Sequence, residues 1–276
     1  MRILDTHLHL IYRDRISYPW VKGAGGLDND FTLESYLAEA RGLDIESALH
    51  MEVDVAESDI EAETAFVTGI DPFVVGAISS ARPENKDFPA QLERLMEIGN
   101  VKGIRRVLHV VPDEVSQTRL FVENLTHLKR HDLSFDLCLL ARQLPLGMAL
   151  ADAHPDTQFI LDHCGVPDVE AQALDPWRAY ITDMARRPNV AAKISGVIAY
   201  AGKDWSVETL RPFVEHVIEA FGWDRVVWGS DHPVCTTTAS LTDWVTATRQ
   251  LIAGASEDEQ AKLLHRNAER IYRINP

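Results

Sequence analysis

Residues 3–9 read Ile3-Leu4-Asp5-Thr6-His7-Leu8-His9, a short apolar run that ends in a cluster of polar groups, two of them imidazoles. Outward from this stretch the same pattern recurs. Apolar, β-prone runs predict strands at Ile3–His7, Ile45–Glu52, Phe73–Ser79, Lys102–Leu108, Leu133–Cys138, Gln158–Asp162, Val190–Ile194 and Arg225–Trp228. Helix-period stretches follow nearly every one, as at Leu33–Leu43, Asp59–Val67, Phe88–Ile98 and Val207–Phe221. Ser206 caps the last of these, and Ser256 with Glu259 forms a capping box for a final helix, Glu257–Tyr272. That helix places Ala261, Leu264, Ala268 and Ile271 on one face, so it is expected to pack back on the body.

Eight strands alternating with helices predict an α/β fold, a single (β/α)8 TIM-like barrel over residues 1–276, with a doubly wound open sheet as the alternative. The open-sheet version is weakened because no G-x-G-x-x-G follows the first strand; Gly23-Ala24-Gly25-Gly26 sits in a long loop. No internal repeat or linker divides the chain.

The 276 residues are 46% hydrophobic and 25% charged, an ordinary globular balance. The 27 Lys and Arg against 42 Asp and Glu leave a net charge of −15, with no basic run. A nucleic-acid groove or an anionic membrane surface is therefore not expected, since both need concentrated positive charge. Cys138, Cys164 and Cys235 are too few and scattered for a disulfide framework. No apolar run approaches the roughly 18 residues of a membrane span, and the opening Met1-Arg2-Ile3-Leu4-Asp5 is no basic-then-apolar leader. A cytoplasmic protein is expected, and a homo-oligomer is compatible with the sequence.

In such a barrel the chemistry lies at the carboxyl ends of the strands. His7 and His9, two apart, are expected to share a face there. Further ends carry Glu52, Arg105 with His109 beyond it, Asp136, His163, Lys193 and Asp231. Polar groups at nearly every strand end are costly unless they converge. His7, His9, His163 and Asp231 suit one divalent cation, zinc first and manganese second, with a position left open for water. Asp231 could take the proton of that water.

These residues carry a resemblance. Asp5-Thr6-His7-Leu8-His9, Lys102-Gly103-Ile104-Arg105-Arg106, Leu161-Asp162-His163-Cys164-Gly165-Val166-Pro167, Lys193-Ile194-Ser195-Gly196, Gly229-Ser230-Asp231-His232-Pro233-Val234 and Asn267-Ala268-Glu269-Arg270-Ile271-Tyr272 run through the chain in order. Together they resemble the amidohydrolase superfamily, and within it the branch of sugar-lactone and dicarboxylate-lactone hydrolases. The resemblance implies a distorted barrel, at most one metal, and hydrolysis of a cyclic ester. Arg105 stands where a binuclear relative would have a bridging Lys, and the fifth strand offers Asp136 and Cys138 rather than a His. Some similar proteins work without metal, with the eighth-strand Asp alone activating water.

The resulting expectation is a carbohydrate-catabolic lactonase opening an aldonolactone to its hydroxy acid. Asp231 and His163 are the catalytic candidates; His7, His9, His163, Asp231 and Glu52 are the ligand candidates. Arg105, His109, Trp20 and Lys193 are the candidates for contact with the small-molecule lactone. One Arg suits a neutral ring, whereas several carboxylates would want more. A muconolactone- or pyrone-type dicarboxylate lactonase, a metal-dependent decarboxylase and a silent metabolite-binding barrel are the alternatives. His50 is expected to face the same side as Glu52 but deeper, in a core role. His232 is turned away from the mouth by alternation, and His127, His131, His154, His216 and His265 are assigned to helices and their ends.

Overall fold

The computed structural model describes residues 1–275. Eight parallel strands form one sheet in chain order: β1 (Ile3–Leu8), β2 (Ile45–Met51), β3 (Val74–Ser80), β4 (Val101–Val107), β5 (Ser134–Cys138), β6 (Phe159–Leu161), β7 (Val190–Ile194) and β8 (Val226–Trp228). The sheet closes through the strand ends. Leu8 bridges His232, the His9 N–H donates to the His232 carbonyl at 2.8 Å, and the Asp231 N–H donates to the His7 carbonyl at 2.9 Å. The expected barrel is the fold found, with β1 and β8 joined only near the mouth.

Helices α1 (Leu33–Glu39), α2 (Ile60–Thr68), α3 (Phe88–Ile98), α4 (Arg119–Leu125), α5 (Leu144–Ala153), α6 (Trp177–Met184), α7 (Val207–Phe221) and α8 (Leu241–Leu251) surround it. The Ser206 hydroxyl accepts from the Thr209 N–H and starts α7 where expected. Helix α1 stops earlier than its apolar period suggests, and residues 41–44 form a turn that feeds β2. The last helical stretch is divided into α9 (Glu257–Ala261), one π-helical segment (Lys262–Arg266) and α10 (Asn267–Ile271). No helix among the described residues is long and apolar enough to cross a membrane.

Two apolar layers hold the barrel. One lies between strands and helices and includes Phe135, Phe159 and Trp228. The other fills the lower interior with Leu4, Leu49, Met51, Ile78, Ile160, Ala191 and Val227, and α10 with its following residues adds Ala268, Ile271, Tyr272 and Ile274. The C-terminal helix therefore closes the amino-terminal end of the barrel. Asn267 anchors it there, donating from Nδ2 to the Val226 carbonyl at 2.8 Å and the Trp223 carbonyl at 2.7 Å. With that end plugged by hydrocarbon, the inward polar groups are left at the opposite end.

Candidate active site

His7 reaches the interior because β1 is irregular. Leu4 belongs to the inner apolar layer, while Asp5 faces α1 and accepts from the Tyr36 hydroxyl at 2.6 Å. Unbroken alternation would then turn His7 and His9 outward. Instead β1 advances three residues from Asp5 to Leu8 while β2 advances two, from Ala48 to His50. One extra residue resets the phase, as bulges at barrel rims do. The Thr6 hydroxyl donates to the Trp228 carbonyl at 2.7 Å, Leu8 joins the outer layer, and His7 and His9 turn to the centre.

Two left-handed turns deliver the other members. His163 follows β6 with φ +53° and Asp231 follows β8 with φ +57°, conformations that cost a non-glycine residue of order 1–3 kcal/mol. Glycines make room for the imidazoles. A Cβ on Gly196, itself at φ +68°, would lie 2.7 Å from the His163 ring; one on Gly229 would lie 2.6 Å from the His7 Cβ.

The four residues meet at Asp231. Its Oδ1 lies 3.7 Å from His7 Nε2 and 3.6 Å from His9 Nε2, and its Oδ2 lies 3.7 Å from His163 Nδ1. His9 Nδ1 sits 2.9 Å from the Met51 carbonyl, which can only accept, so its proton is there and Nε2 offers a lone pair. His7 Nδ1 lies 3.5 Å from Asp162 Oδ1 and 3.3 Å from Lys193 Nζ, and its Nε2 lies 3.4 Å from Arg105 Nη1. Burial keeps the imidazoles neutral. It lowers His7, reinforced by the Lys193 charge; it lowers His9 to about 3, reinforced by Arg105; and it lowers His163. Burial raises the Asp231 carboxyl to about 6, against the pull of His163 and Arg105.

A second tier of charge lies beneath. Lys193 Nζ is fully buried, 2.7 Å from Asp136 Oδ2 and 2.9 Å from Asp162 Oδ1. Burial opposes ionisation of Asp162, yet Lys193 and His7 outweigh it and hold that carboxyl well below its usual range. Arg105 donates from Nε to Glu52 Oε1 at 2.6 Å and from Nη2 to the Glu52 carbonyl at 2.7 Å.

A cavity of about 370 Å³ opens onto this floor. Among the sequence candidates, His9, Arg105, His163, Asp231, His109 and Trp20 line it. Trp20 is 40% exposed and hangs over the rim, its indole N–H donating to the Val53 carbonyl at 2.7 Å. His109 turns Nδ1 to the Cys138 sulfur at 3.5 Å.

Two expectations are corrected. Glu52 does not join the convergent donors, because Arg105 takes one oxygen and the Asp54 N–H takes the other at 2.7 Å. Lys193 does not line the cavity; two carboxylates hold it below the floor. His50 is buried, in keeping with its expected core role, but it turns to Glu63 of α2 at 3.3 Å and not to the side of Glu52. Asp162 and Tyr200 were not singled out. Asp162 was legible by alternation from inward Ile160, whereas Tyr200 lies in a loop after β7 with no periodic signal.

The donors fit a divalent cation. Ligand atoms of His7, His9 and Asp231 lie within 4.8 Å of one another, as do those of His7, Asp162 and His163. Separations of 3.6–3.7 Å are too long for hydrogen bonds and near the roughly 3.4 Å edge of a tetrahedron with bonds of about 2.1 Å. Asp231 Oδ2 and Asp162 Oδ2 are buried with no hydrogen-bond partner. Within the barrel mouth, the carboxylates of Glu52, Asp136, Asp162 and Asp231 face only Lys193 and Arg105 as permanent cations.

Fold and centre define a barrel hydrolase of the strand-end His/Asp type. The chain belongs to the amidohydrolase family, whose model matches residues 4–274. It is 30% identical to the uncharacterized protein y4mH of Sinorhizobium fredii over 99% of this chain and 98% of that one. It is 28% identical to an L-fucono-1,5-lactonase of Burkholderia ambifaria over 79% of this chain and 74% of that one. In fold it is similar to an amidohydrolase of Burkholderia multivorans crystallised with bound zinc, with a TM-score of 0.89 and 23% identity over the whole of both chains.

Proposed function

We propose that the protein opens a sugar lactone, an aldonolactone of the deoxy-sugar type, to its hydroxy acid. One observation carries the choice of a neutral ring. Among the described residues Arg105 is the sole Lys or Arg lining the cavity, and it is already committed to Glu52. A dicarboxylate would bring charges that nothing at the mouth is free to match. The lactonase name of the Burkholderia ambifaria relative supports the cyclic-ester class.

His7, His9, His163 and Asp231 would hold one divalent cation, zinc before manganese on the chemistry of the donors. Bound there, it supplies polarisation of the ester carbonyl and a nucleophile at neutral pH. The chain supplies the rest. Asp231 accepts the proton of the attacking water and returns it to the ring oxygen as the acyl C–O bond breaks. Its burial suits that shuttle, because raising the carboxyl makes it a better proton acceptor than an exposed carboxylate while it still gives the proton up near neutrality. Arg105 stays paired with Glu52 in the cavity wall and fixes that carboxylate. Leu27 and Trp20 cover the ring from the β1–α1 loop.

The test is a panel of lactones assayed for acid release and for CO2, with metal content measured before and after chelation. Ring opening without CO2 is expected, with Asp231→Asn folded but at least a thousandfold slower, in the range expected for loss of an acid–base group. CO2 release without ring opening, or full activity in Asp231→Asn, would overturn the proposal.

A further inference from the structure

Asp54 stands at the cavity rim in an unusual state. It is not a glycine, yet its backbone sits at φ +46°. The carboxylate of Glu52, fixed in turn by Arg105, takes the Asp54 N–H at 2.7 Å and holds the turn in place. The side chain is oriented as well. Oδ1 lies 3.4 Å from Arg82 Nη2 and 4.0 Å from Arg106 Nη1. Arg82 is itself buried and locked by the Ser80 hydroxyl at 2.7 Å and the Ala81 carbonyl at 3.2 Å. Asp54 nevertheless lines the cavity, its side chain 29% exposed, and Oδ2 has no hydrogen-bond partner among the described residues. A strained turn held from behind by two ion pairs, presenting one free carboxylate oxygen to a ligand cavity, is a pre-organised acceptor.

Much of the surrounding wall offers no such group. Ile11, Leu27, Val110, Leu140, Val166 and Val234 are apolar, and the Trp20 indole N–H is spent on Val53. Asp231 and the imidazoles belong to the reaction centre. We infer that Asp54 is the residue that selects hydroxylated, uncharged lactones, by accepting hydrogen bonds from ring hydroxyls distant from the ester and repelling substrates that carry a second carboxylate. This rests on the lactonase reading above. It also gives Glu52 a role: its buried carboxylate is a positioning group that ties the selecting residue to Arg105.

The experiment compares kcat and KM of wild type, Asp54→Asn and Asp54→Ala on three lactones of one ring size: polyhydroxylated, unsubstituted, and bearing a ring carboxylate. The wild type is expected to prefer the hydroxylated ring. In Asp54→Ala that preference over the unsubstituted ring falls at least tenfold, carried by KM, because a hydrogen bond to a charged acceptor is lost. Asp54→Asn keeps an acceptor oxygen and retains part of the preference, while its kcat/KM for the carboxylate-bearing lactone rises. A preference in Asp54→Ala within twofold of wild type overturns the role of Asp54 and leaves the lactonase reading standing. A wild type that opens none of the three overturns both. Turnover of the unsubstituted ring by the variants shows that the reaction centre is assembled, so a folding defect cannot imitate the expected result.

Discussion

Replacing Lys193 with methionine tests the charge arrangement directly. The ammonium is fully buried and serves two carboxylates, at 2.7 Å and 2.9 Å. Methionine keeps most of the volume and removes the charge. Asp136 is then left with the Tyr272 hydroxyl at 3.4 Å and the Ser134 hydroxyl at 3.5 Å, both long contacts. Asp162 keeps only His7 at 3.5 Å and Arg105 at 3.7 Å. Removing one member of a buried pair costs about 3–5 kcal/mol, mostly because the remaining charge is stranded; with two stranded carboxylates the upper half of that range is expected. Unfolding entropy of about 2.1 cal/mol/K per residue, over 276 residues, turns 4 kcal/mol into a fall in Tm of roughly 7 °C.

Urea unfolding of wild type, Lys193→Met, Asp136→Asn and the double variant gives the coupling. Lys193→Met should lose at least 3 kcal/mol, and the double variant should recover about 1–3 kcal/mol of the sum of the single losses. A loss below about 1 kcal/mol, or additivity within about 0.5 kcal/mol, would refute the reasoning. It would mean that the ammonium is not the counter-charge on which these carboxylates depend.

Two further outcomes separate placement from chemistry. Gly196→Ala puts a methyl 2.7 Å from the His163 ring at φ +68°, so affinity for a divalent cation should fall about 10–100-fold. Gly254→Ala, where a Cβ meets nothing within 4 Å, is the control; equal metal affinities by competition titration would refute the cradle. Glu63 is pushed above its usual range chiefly by burial, against the hydrogen bond and charge of His50. A carboxyl raised on folding contributes stability at low pH that is lost as pH climbs from the unfolded value through the folded one. Glu63→Gln should therefore gain on wild type in urea midpoints as pH rises above the ordinary glutamate range, and the opposite trend would show that His50 outweighs desolvation.

Much of the frame was legible because it depends on local pattern. Two predicted helices, Phe88–Ile98 and Val207–Phe221, coincide with α3 and α7, where a clear apolar stripe packs on the sheet. The final helix was legible as an amphipathic stretch but not as the plug of the barrel, since its partners Leu4, Ile160 and Val227 are strands apart in the chain. Within the site, Lys193 and Glu52 show the limit. Each occupies a strand end facing the mouth, yet each is consumed by an opposite charge on another strand, and sequence position alone does not say who pairs with whom.

The deeper obstacle is phase. Alternation assigns sides only while the pleat is unbroken, and the residues that matter sit where it breaks: the inserted residue in β1, the left-handed His163 and Asp231, the left-handed Asp54. Each break costs backbone energy and carries a polar side chain into a place that regular geometry would give to another residue. In β1 the consequence can be stated sharply. Unbroken from Leu4, the strand would aim Thr6 and Leu8 inward and send both imidazoles into the apolar layer behind it. The mouth would keep its carboxylates and lose the neutral nitrogens that, with Asp231, make it a cation site rather than a concentration of buried negative charge. Deleting Thr6 removes the extra residue, so an unbroken strand from Leu4 would again aim His7 and His9 inward; divalent binding is expected to survive the loss of the Thr6–Trp228 hydrogen bond, and its abolition, measured by competition titration, would refute the phase argument.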